Sequence, residues 1–159
     1  MSMLKKAGLL LLLGCSTAWA ANPFWLEGRT DDRYEITVYR SATCGCCKGW
    51  IEHLRAHDFS VKDVTVDDVN KFKQQFDVPA QAASCHTAVV NGLVIEGHVP
   101  AQDIKRVLGE QSDIRLLAVP AMPSGTPGMD TPGAPKQDFN VYSVDRDNNA
   151  KIYRSYRDY

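Results

Sequence analysis

Hydrophobic and polar positions change their period several times along the chain, and each period predicts an element. Tyr34–Tyr39 alternates between the two classes and is rich in strand formers, which predicts a first strand. The following residues place Cys47, Ile51 and Leu54 four and seven positions apart, the spacing of one helical face. A helix with a core-facing stripe is therefore expected directly after the first strand, with Thr43 as its N-cap.

The alternation of strands and helices continues to residue 108. The pattern predicts, in chain order, a strand, a helix, a β-hairpin and a helix, at Phe59–Val66, Val69–Phe76, Thr87–Gly97 and Pro100–Leu108. Asn91-Gly92 between two apolar runs is a strong signal for the tight turn of that hairpin. Residues 34–117 are therefore predicted to form an α/β domain with the order β-α-β-α-β-β-α.

The periodic pattern stops after residue 117. Residues 118–137 (AVPAMPSGTPGMDTPGAPKQ) are rich in Pro and Gly and predict an irregular segment, called the strap below. Residues 138–159 alternate again on both sides of a turn at Asp145–Asn149, which predicts a C-terminal β-hairpin that extends or covers the sheet. Residues 21–33 form a polar lead-in, with Trp25 as the expected docking anchor.

Residues 1–20 have the features of a secretory signal peptide. Lys5-Lys6 precedes the apolar run Ala7–Leu13, which is too short to span a bilayer, and Ala18-Trp19-Ala20 supplies a cleavage site. We expect cleavage after Ala20 and a periplasmic location. Cys15 offers a lipoprotein alternative, which is disfavoured because a bulky leucine lies beside the site of lipid attachment.

The charge balance excludes one class of partner. The full chain has a formal net charge of −1, and removal of the leader leaves 16 basic against 19 acidic residues, a net charge of −3. An acidic chain without a basic block is not expected to bind nucleic acid. No second apolar stretch is long enough to span a membrane, so the mature chain is expected to have no transmembrane segment.

Three of the five cysteines lie in the turn Cys44-Gly45-Cys46-Cys47. Cys44 and Cys47 have the C-x-x-C spacing of a thiol–disulfide site, where a helix N-terminus favours the thiolate. Cys46 is a third sulfur that such a pair does not need. Three thiolates on one turn suit Cu(I) or, less selectively, zinc. A purely structural disulfide is disfavoured, because bridging within four residues closes no loop of useful length.

The element order, with cysteines after the first strand, resembles the thioredoxin fold. In that fold a cis-proline followed by threonine begins the third strand and faces the cysteine pair. His86-Thr87, preceded by Cys85, occupies the corresponding place here. The resemblance implies that Cys85 and His86 lie beside the cysteine turn, with a potential ligand where proline normally stands.

Met122 and Met129 are the only methionines after the leader, and both lie in the strap. Thioethers suit Cu(I), and we expect the strap to close over the cysteine site. The alternative is that Met122 docks as an apolar plug. The other histidines are interpreted as lying outside the site, with His53 and His57 on a solvated helix face and His98 in a turn.

Together these motifs resemble the CopG-type periplasmic copper-resistance family over residues 34–158. The matching motifs are Cys44-Gly45-Cys46-Cys47 with Trp50, Ser84-Cys85-His86-Thr87-Ala88, Glu96-Gly97-His98-Val99-Pro100, and Met122-Pro123 with Thr126-Pro127-Gly128-Met129. The resemblance implies a thioredoxin-like core, copper binding through cysteines, and a role in copper detoxification with a redox function on copper. By matching position it implies ligands at Cys44, Cys46, Cys47 and Cys85, with His86, Met122 and Met129 as additional or neighbouring ligands.

Two functions remain open from the sequence. The first is a periplasmic copper-resistance protein that holds Cu(I) at a cysteine-rich, multinuclear site, cycles its redox state, and exchanges copper with other periplasmic copper-handling proteins. The second is a thiol–disulfide oxidoreductase in which Cys44 attacks and Cys47 resolves. That scheme gives Cys46, Cys85 and the two methionines no task. An iron–sulfur site is a weaker third possibility, because the spacing fits no common cluster pattern.

Overall fold

The computed structural model of the protein describes residues 22–110 and 112–159. The predicted signal peptide at residues 1–20, with Cys15 inside it, lies outside these described residues. Among the helices in the described ranges, each is too short or too polar to cross a membrane.

The described residues form an α/β fold with one mixed sheet and three α-helices. The strands are β1 (Tyr34–Arg40), β2 (Phe59–Thr65), β3 (His86–Val90), β4 (Leu93–Glu96), β5 (Ile114–Ala118), β6 (Phe139–Asp145) and β7 (Ala150–Tyr156). The α-helices are α1 (Gly45–Ala56), α2 (Asn70–Gln75) and α3 (Ala101–Gly109), and short 3-10 helices span Pro23–Leu26 and Ala80–Ala82. The predicted order from the first strand to the third helix, and the C-terminal hairpin, both agree with this structure.

The sheet has the spatial order β2-β1-β3-β4-β5-β6-β7. β1 runs parallel to β2 and β4 parallel to β5, and the other neighbouring pairs are antiparallel. β5 was not predicted, and its last residue, Ala118, was assigned to the strap. Its Leu116–Ala118 run is buried throughout, so it lacks the alternation that marks a half-exposed strand. β5 joins the C-terminal hairpin to the rest of the sheet.

Two layers of helix cover the sheet. Trp50, Ile51 and Leu54 of α1 belong to the main core with Ile104 of α3. On the other face Tyr39 stacks on Phe72, with ring centroids 4.0 Å apart. The long apolar stripe of α1 therefore fixes the helix that carries the cysteine turn.

The N-cap of α1 is Cys44, one residue later than the predicted Thr43. No side chain caps the helix, because the Thr43 hydroxyl lies against Ser41 Oγ instead, at 3.0 Å. The first-turn N–H groups therefore have no side-chain acceptor, and their partial positive charge favours a thiolate at this end.

The lead-in docks through Trp25, as predicted. Trp25 is 1% exposed, and its indole N–H donates to Gly125 O at 3.0 Å. This layer also covers the helix face that carries His53 and His57, so the prediction that they are solvated was wrong. They are 6% and 0% exposed, with ring centroids 4.7 Å apart. Tertiary packing buries them, since the lead-in contacts His57 through Trp25 O and the first residue of α3, Ala101, donates its N–H to His53 Nε2.

Candidate metal centre

Four cysteine sulfurs converge at the N-terminal end of α1. The Sγ atoms of Cys44, Cys46, Cys47 and Cys85 all lie within 4.8 Å of one another. Cys46 Sγ is 3.6 Å from Cys44 Sγ, and Cys85 Sγ is 3.6 Å from Cys47 Sγ. The N-cap and the first turn of α1 supply three of these sulfurs, and the residue before β3 supplies the fourth. The pairing of β3 with β1 brings them together across a sequence separation of 38 residues.

Two of the four sulfurs are joined to each other. Cys44 and Cys47 form a disulfide, whereas Cys46 and Cys85 are free thiols. Cys47 is completely buried, and the other three are half-buried. The same group of sulfurs therefore offers both a C-x-x-C redox pair and a candidate metal-ligand set.

Two imidazoles face the Cys85 sulfur. His86 Nδ1 lies 3.2 Å and His98 Nε2 lies 3.4 Å from Cys85 Sγ. His98 Nδ1 is 2.7 Å from Pro127 O, and because a carbonyl oxygen only accepts, Nδ1 carries the proton. The lone pair on His98 Nε2 therefore points towards the sulfur, the arrangement of a metal-binding histidine held by an outer partner.

The prediction that His98 is a turn residue outside the site missed this contact. A signal for it was available in the hairpin. The register pairs Val90 with Leu93 and Thr87 with Glu96, and extending it by two residues places Cys85 opposite His98. The Asn91-Gly92 turn that predicted the hairpin therefore also predicts this proximity.

The two methionines have different surroundings. Met122 Sδ is 3.9 Å from Cys46 Sγ, and Met122 is 48% exposed, so it is not an apolar plug. Met129 is half-buried and lines a small cavity with Asn22 and Gly125. Among the described residues, no hydrogen bond joins Met129 Sδ to a cysteine sulfur or an imidazole nitrogen of the cluster.

The strap is fixed against α1 by a close backbone approach. A Cβ on Gly49 would lie 2.9 Å from Gly128 Cα, and Gly128 has a φ of +81°, which favours glycine. Ser84 Oγ donates to Ala121 O at 2.6 Å, beside Cys85. These contacts hold Met122 over Cys46 and the Pro127 carbonyl against His98.

A buried ion pair between Lys73 and Glu96 fixes the segment that carries Cys85. Glu96 is 0% exposed and accepts hydrogen bonds from Ser84 N–H at 2.6 Å and Thr87 Oγ1 at 2.7 Å. Lys73 Nζ donates to the same carboxylate and to Thr87 Oγ1. A buried carboxylate needs such donors, and they in turn fix the backbone on which Cys85 is carried.

Burial sets the protonation of Cys85, His86 and His98. It raises the pKa of the Cys85 thiol to about 12, and the neighbouring Cys46 sulfur adds to the rise. Burial also lowers the pKa of His86 well below its usual value, with further lowering by His98 and Lys73. It lowers the pKa of His98, partly offset by the Pro127 carbonyl. The imidazoles are therefore neutral near pH 7, the form that binds metals, and a cation that binds Cys85 must displace its proton.

Four cysteines, two histidines and a methionine gathered at one end of a helix in an α/β protein form a donor set that could hold a metal ion, as in cysteine-rich metal-binding proteins. Two solved structures of the copper resistance protein CopG are similar to it. Form 2 is 41% identical with a TM-score of 0.75, and the match covers 79% of this chain and 100% of the other. Form 1 is 40% identical with a TM-score of 0.73, and the match covers 79% of this chain and 98% of the other.

The chain belongs to the CopG copper-resistance family. A family model described as a protein of unknown function, DUF411, matches residues 82–129, which include Cys85, His86, His98 and both methionines. No curated protein matches the chain. The family assignment agrees with the resemblance carried by the cysteine, histidine and methionine motifs.

Proposed function

We propose that this protein is a copper-resistance protein that holds Cu(I) at the cluster of Cys44, Cys46, Cys47 and Cys85. The observation that carries the proposal is the convergence of four sulfurs within 4.8 Å of one another. Soft thiolate ligands suit Cu(I) and, less selectively, zinc, and a thioether such as that of Met122 beside them suits Cu(I). Its membership of a family whose solved members are copper resistance proteins supports copper as the ion.

The number and spacing of donors support a multinuclear site. Four cysteines, His86, His98 and Met122 supply more donors than one Cu(I) ion needs, and a thiolate sulfur can bridge two ions. Met129 remains a proposed neighbouring ligand, although the contact that brings a thioether to the cluster is made by Met122. Imidazole nitrogen suits copper in either oxidation state, so His86 and His98 beside Cys85 would also support redox cycling of the bound copper.

The arrangement around the site supports the thioredoxin-like interpretation. β2 is parallel to β1, β3 and β4 follow as an antiparallel hairpin, and α1 begins at the cysteine turn. His86 begins β3 and packs against Trp50, with ring centroids 4.3 Å apart and the ring planes tilted by 35°. We further propose that the protein acts in the periplasm after removal of residues 1–20, where it exchanges copper with other periplasmic copper-handling proteins.

The reduced protein is expected to bind more than one Cu(I) per chain. Competition with a Cu(I)-specific chelator after full reduction of the thiols measures both stoichiometry and affinity. Cys85→Ser should lower both, because Cys85 is the sulfur that joins the cysteine turn to the two imidazoles. A stoichiometry of one ion or less, unchanged by Cys85→Ser, would contradict the multinuclear site.

Met122→Leu is expected to weaken Cu(I) retention, and the effect should grow as the pH falls. A thioether stays neutral and cannot be protonated away, so it retains copper when thiolates begin to protonate. Leucine keeps approximate size and apolarity, which separates the sulfur from packing. Met129→Leu is the comparison variant, and it should lower Cu(I) retention less than Met122→Leu, because the thioether beside Cys46 belongs to Met122. Equal copper retention by Met122→Leu and the parent across the acidic range would show that the Met122 sulfur is not a ligand.

A second candidate function, a thiol–disulfide oxidoreductase, is favoured by one observation. Cys44 and Cys47 are bonded as the C-x-x-C pair that such an enzyme uses. In that function a half-buried Cys44 would attack the substrate disulfide and a buried Cys47 would resolve it.

A further inference from the structure

We propose that the Cys44–Cys47 disulfide is a lock on the metal centre, and that a dithiol reductant must open it before the four-thiolate site exists. The inference rests on the proposed function, since it concerns the regulation of the same site. The same group of four sulfurs contains a disulfide in the oxidised state and becomes the metal centre after reduction.

The sulfur atoms of the disulfide overlap with the sulfur atoms of the candidate metal centre. Both sulfurs of the disulfide also belong to the group of four that lie within 4.8 Å of one another. The metal ligand is the thiolate, and a sulfur in a disulfide has no thiolate charge to give. The locked protein therefore offers only Cys46 and Cys85 as thiol ligands.

The lock is accessible to an external reductant from the Cys44 side. Cys47 is 0% exposed, whereas Cys44 is half-buried and forms the uncapped N-terminus of α1. An external thiolate can therefore reach Cys44 Sγ and not Cys47 Sγ. Attack at Cys44 expels Cys47 as the leaving thiolate in the first turn of the helix, where the helix dipole stabilises negative charge.

The chemistry balances with one dithiol per lock. A thiolate of the reductant forms a bond to Cys44 Sγ while the Cys44–Cys47 bond breaks, and Cys47 takes up a proton. The second thiol of the reductant then attacks the reductant's sulfur in the mixed disulfide. This step closes a disulfide within the reductant and releases Cys44 as a thiol. Two electrons and two protons pass to the protein, and the reductant leaves as a disulfide.

A disulfide between Cys47 and the free thiol of Cys85 is an alternative to the Cys44–Cys47 bond, and the test must distinguish the two pairings. Cys85 Sγ lies as close to Cys47 Sγ as Cys46 Sγ lies to Cys44 Sγ, both at 3.6 Å. A Cys47–Cys85 bond would tie the turn to β3 and leave Cys44 free. The lock as proposed keeps the bond within the turn.

Copper and the lock are linked, because a thiophilic ion that prefers the reduced form holds it reduced. The oxidised protein is expected to bind the ion more than about 100-fold more weakly, since loss of an outer-shell partner alone costs about 10–100-fold. A 100-fold preference for the reduced form raises the reduction potential of the Cys44–Cys47 pair by about 59 mV, so the pair is reduced more easily when the ion is present.

The experiment compares metal-free protein equilibrated with oxidised or reduced dithiol, using Ag(I) as a thiophilic ion that donates no electron to the disulfide. Alkylation followed by trypsin isolates residues 41–48, which contain Cys44, Cys46 and Cys47 and none of the other cysteines. We expect one alkylated cysteine in this peptide after oxidation and three after reduction. Ag(I) affinity should rise more than about 100-fold between the two states.

Two variants complete the test. Cys44→Ser should remove the lock, so that its Ag(I) affinity is the same with or without dithiol; serine is also a favourable N-cap. Cys85→Ser should keep the lock. Equal Ag(I) affinity of the oxidised and reduced parent, or a peptide cross-linked to the one containing Cys85, would overturn the proposal. A lock that opens as expected in a protein that then binds no Cu(I) would instead contradict the proposed function.

Discussion

Cys46→Ser is expected to weaken Cu(I) binding by more than about 100-fold, since even the loss of an outer-shell partner costs about 10–100-fold. Cys46 lies outside the C-x-x-C pair, yet its sulfur is 3.6 Å from Cys44 Sγ and 3.9 Å from Met122 Sδ. The substitution therefore removes one sulfur donor from the cluster, and it also removes the sulfur that Met122 Sδ contacts. The serine hydroxyl is a much poorer ligand for Cu(I) than a thiolate.

The same variant separates the two candidate functions. Disulfide exchange through Cys44 and Cys47 should persist in Cys46→Ser, because neither sulfur of the pair has been changed. Chelator competition measures the copper affinity, and reduction of a protein disulfide substrate measures exchange. Unchanged copper affinity together with fast exchange would favour the oxidoreductase.

The metal-free protein is expected to lose stability steeply as the pH falls below about 6.5, the ordinary pKa of histidine. All of its histidines are buried: His53, His57, His86 and His98. Burial is the largest cause of a lowered pKa at each of the four. The folded protein therefore stays neutral at these positions at a pH where the unfolded chain takes up protons.

The sign of the effect follows from proton linkage. For a histidine whose pKa is lower in the folded than in the unfolded protein, the free energy of unfolding is at its full value above the unfolded-state pKa. It decreases as the pH falls from the unfolded-state pKa towards the folded-state pKa. Each proton taken up on unfolding lowers the free energy of unfolding by about 1.4 kcal/mol per pH unit. Burial raises the pKa of Asp103, which opposes the trend at lower pH because this carboxyl binds its proton more tightly in the folded state.

Denaturant unfolding of the metal-free protein between pH 7.5 and 5 measures this slope. The matched variant is His53→Gln with His57→Gln. Glutamine can still accept from Ala101 N–H and donate to Trp25 O, the bonds that the two imidazoles make at 2.9 Å and 2.6 Å. In the double variant, the pH dependence of the free energy of unfolding should be shallower by up to about 2.8 kcal/mol per pH unit. This is the contribution of two protons at about 1.4 kcal/mol each. A slope equal to that of the parent would mean that these histidines do not titrate on unfolding.

Local patterns in the sequence determined the elements that carry the site. The alternation at Tyr34–Tyr39 and the stripe at Cys47, Ile51 and Leu54 predicted the strand and helix on either side of the cysteine turn, and Asn91-Gly92 predicted the hairpin. These predictions agree with the structure because side-chain period and turn chemistry are properties of neighbouring residues. The family resemblance rested on motifs of the same local kind.

The tertiary structure decided what no local pattern contains. His98 reaches Cys85 only because the β3–β4 register and the Pro127 carbonyl place it there. His53 and His57 are buried because the lead-in, more than 25 residues away in sequence, covers their face of α1. The Leu116–Ala118 run of β5 does not alternate between hydrophobic and polar residues, because both faces of the strand are covered there.

The same distinction separates the two methionines. In the sequence Met122 and Met129 share one Pro/Gly-rich segment and are equivalent as candidate ligands. The close approach of Gly128 to Gly49 and the bond from Ser84 to Ala121 fix the path of the strap, which leaves Met122 beside Cys46 and Met129 in a separate cavity. Residue types determined which atoms can bind a soft ion, whereas contacts between distant segments decided which of them meet.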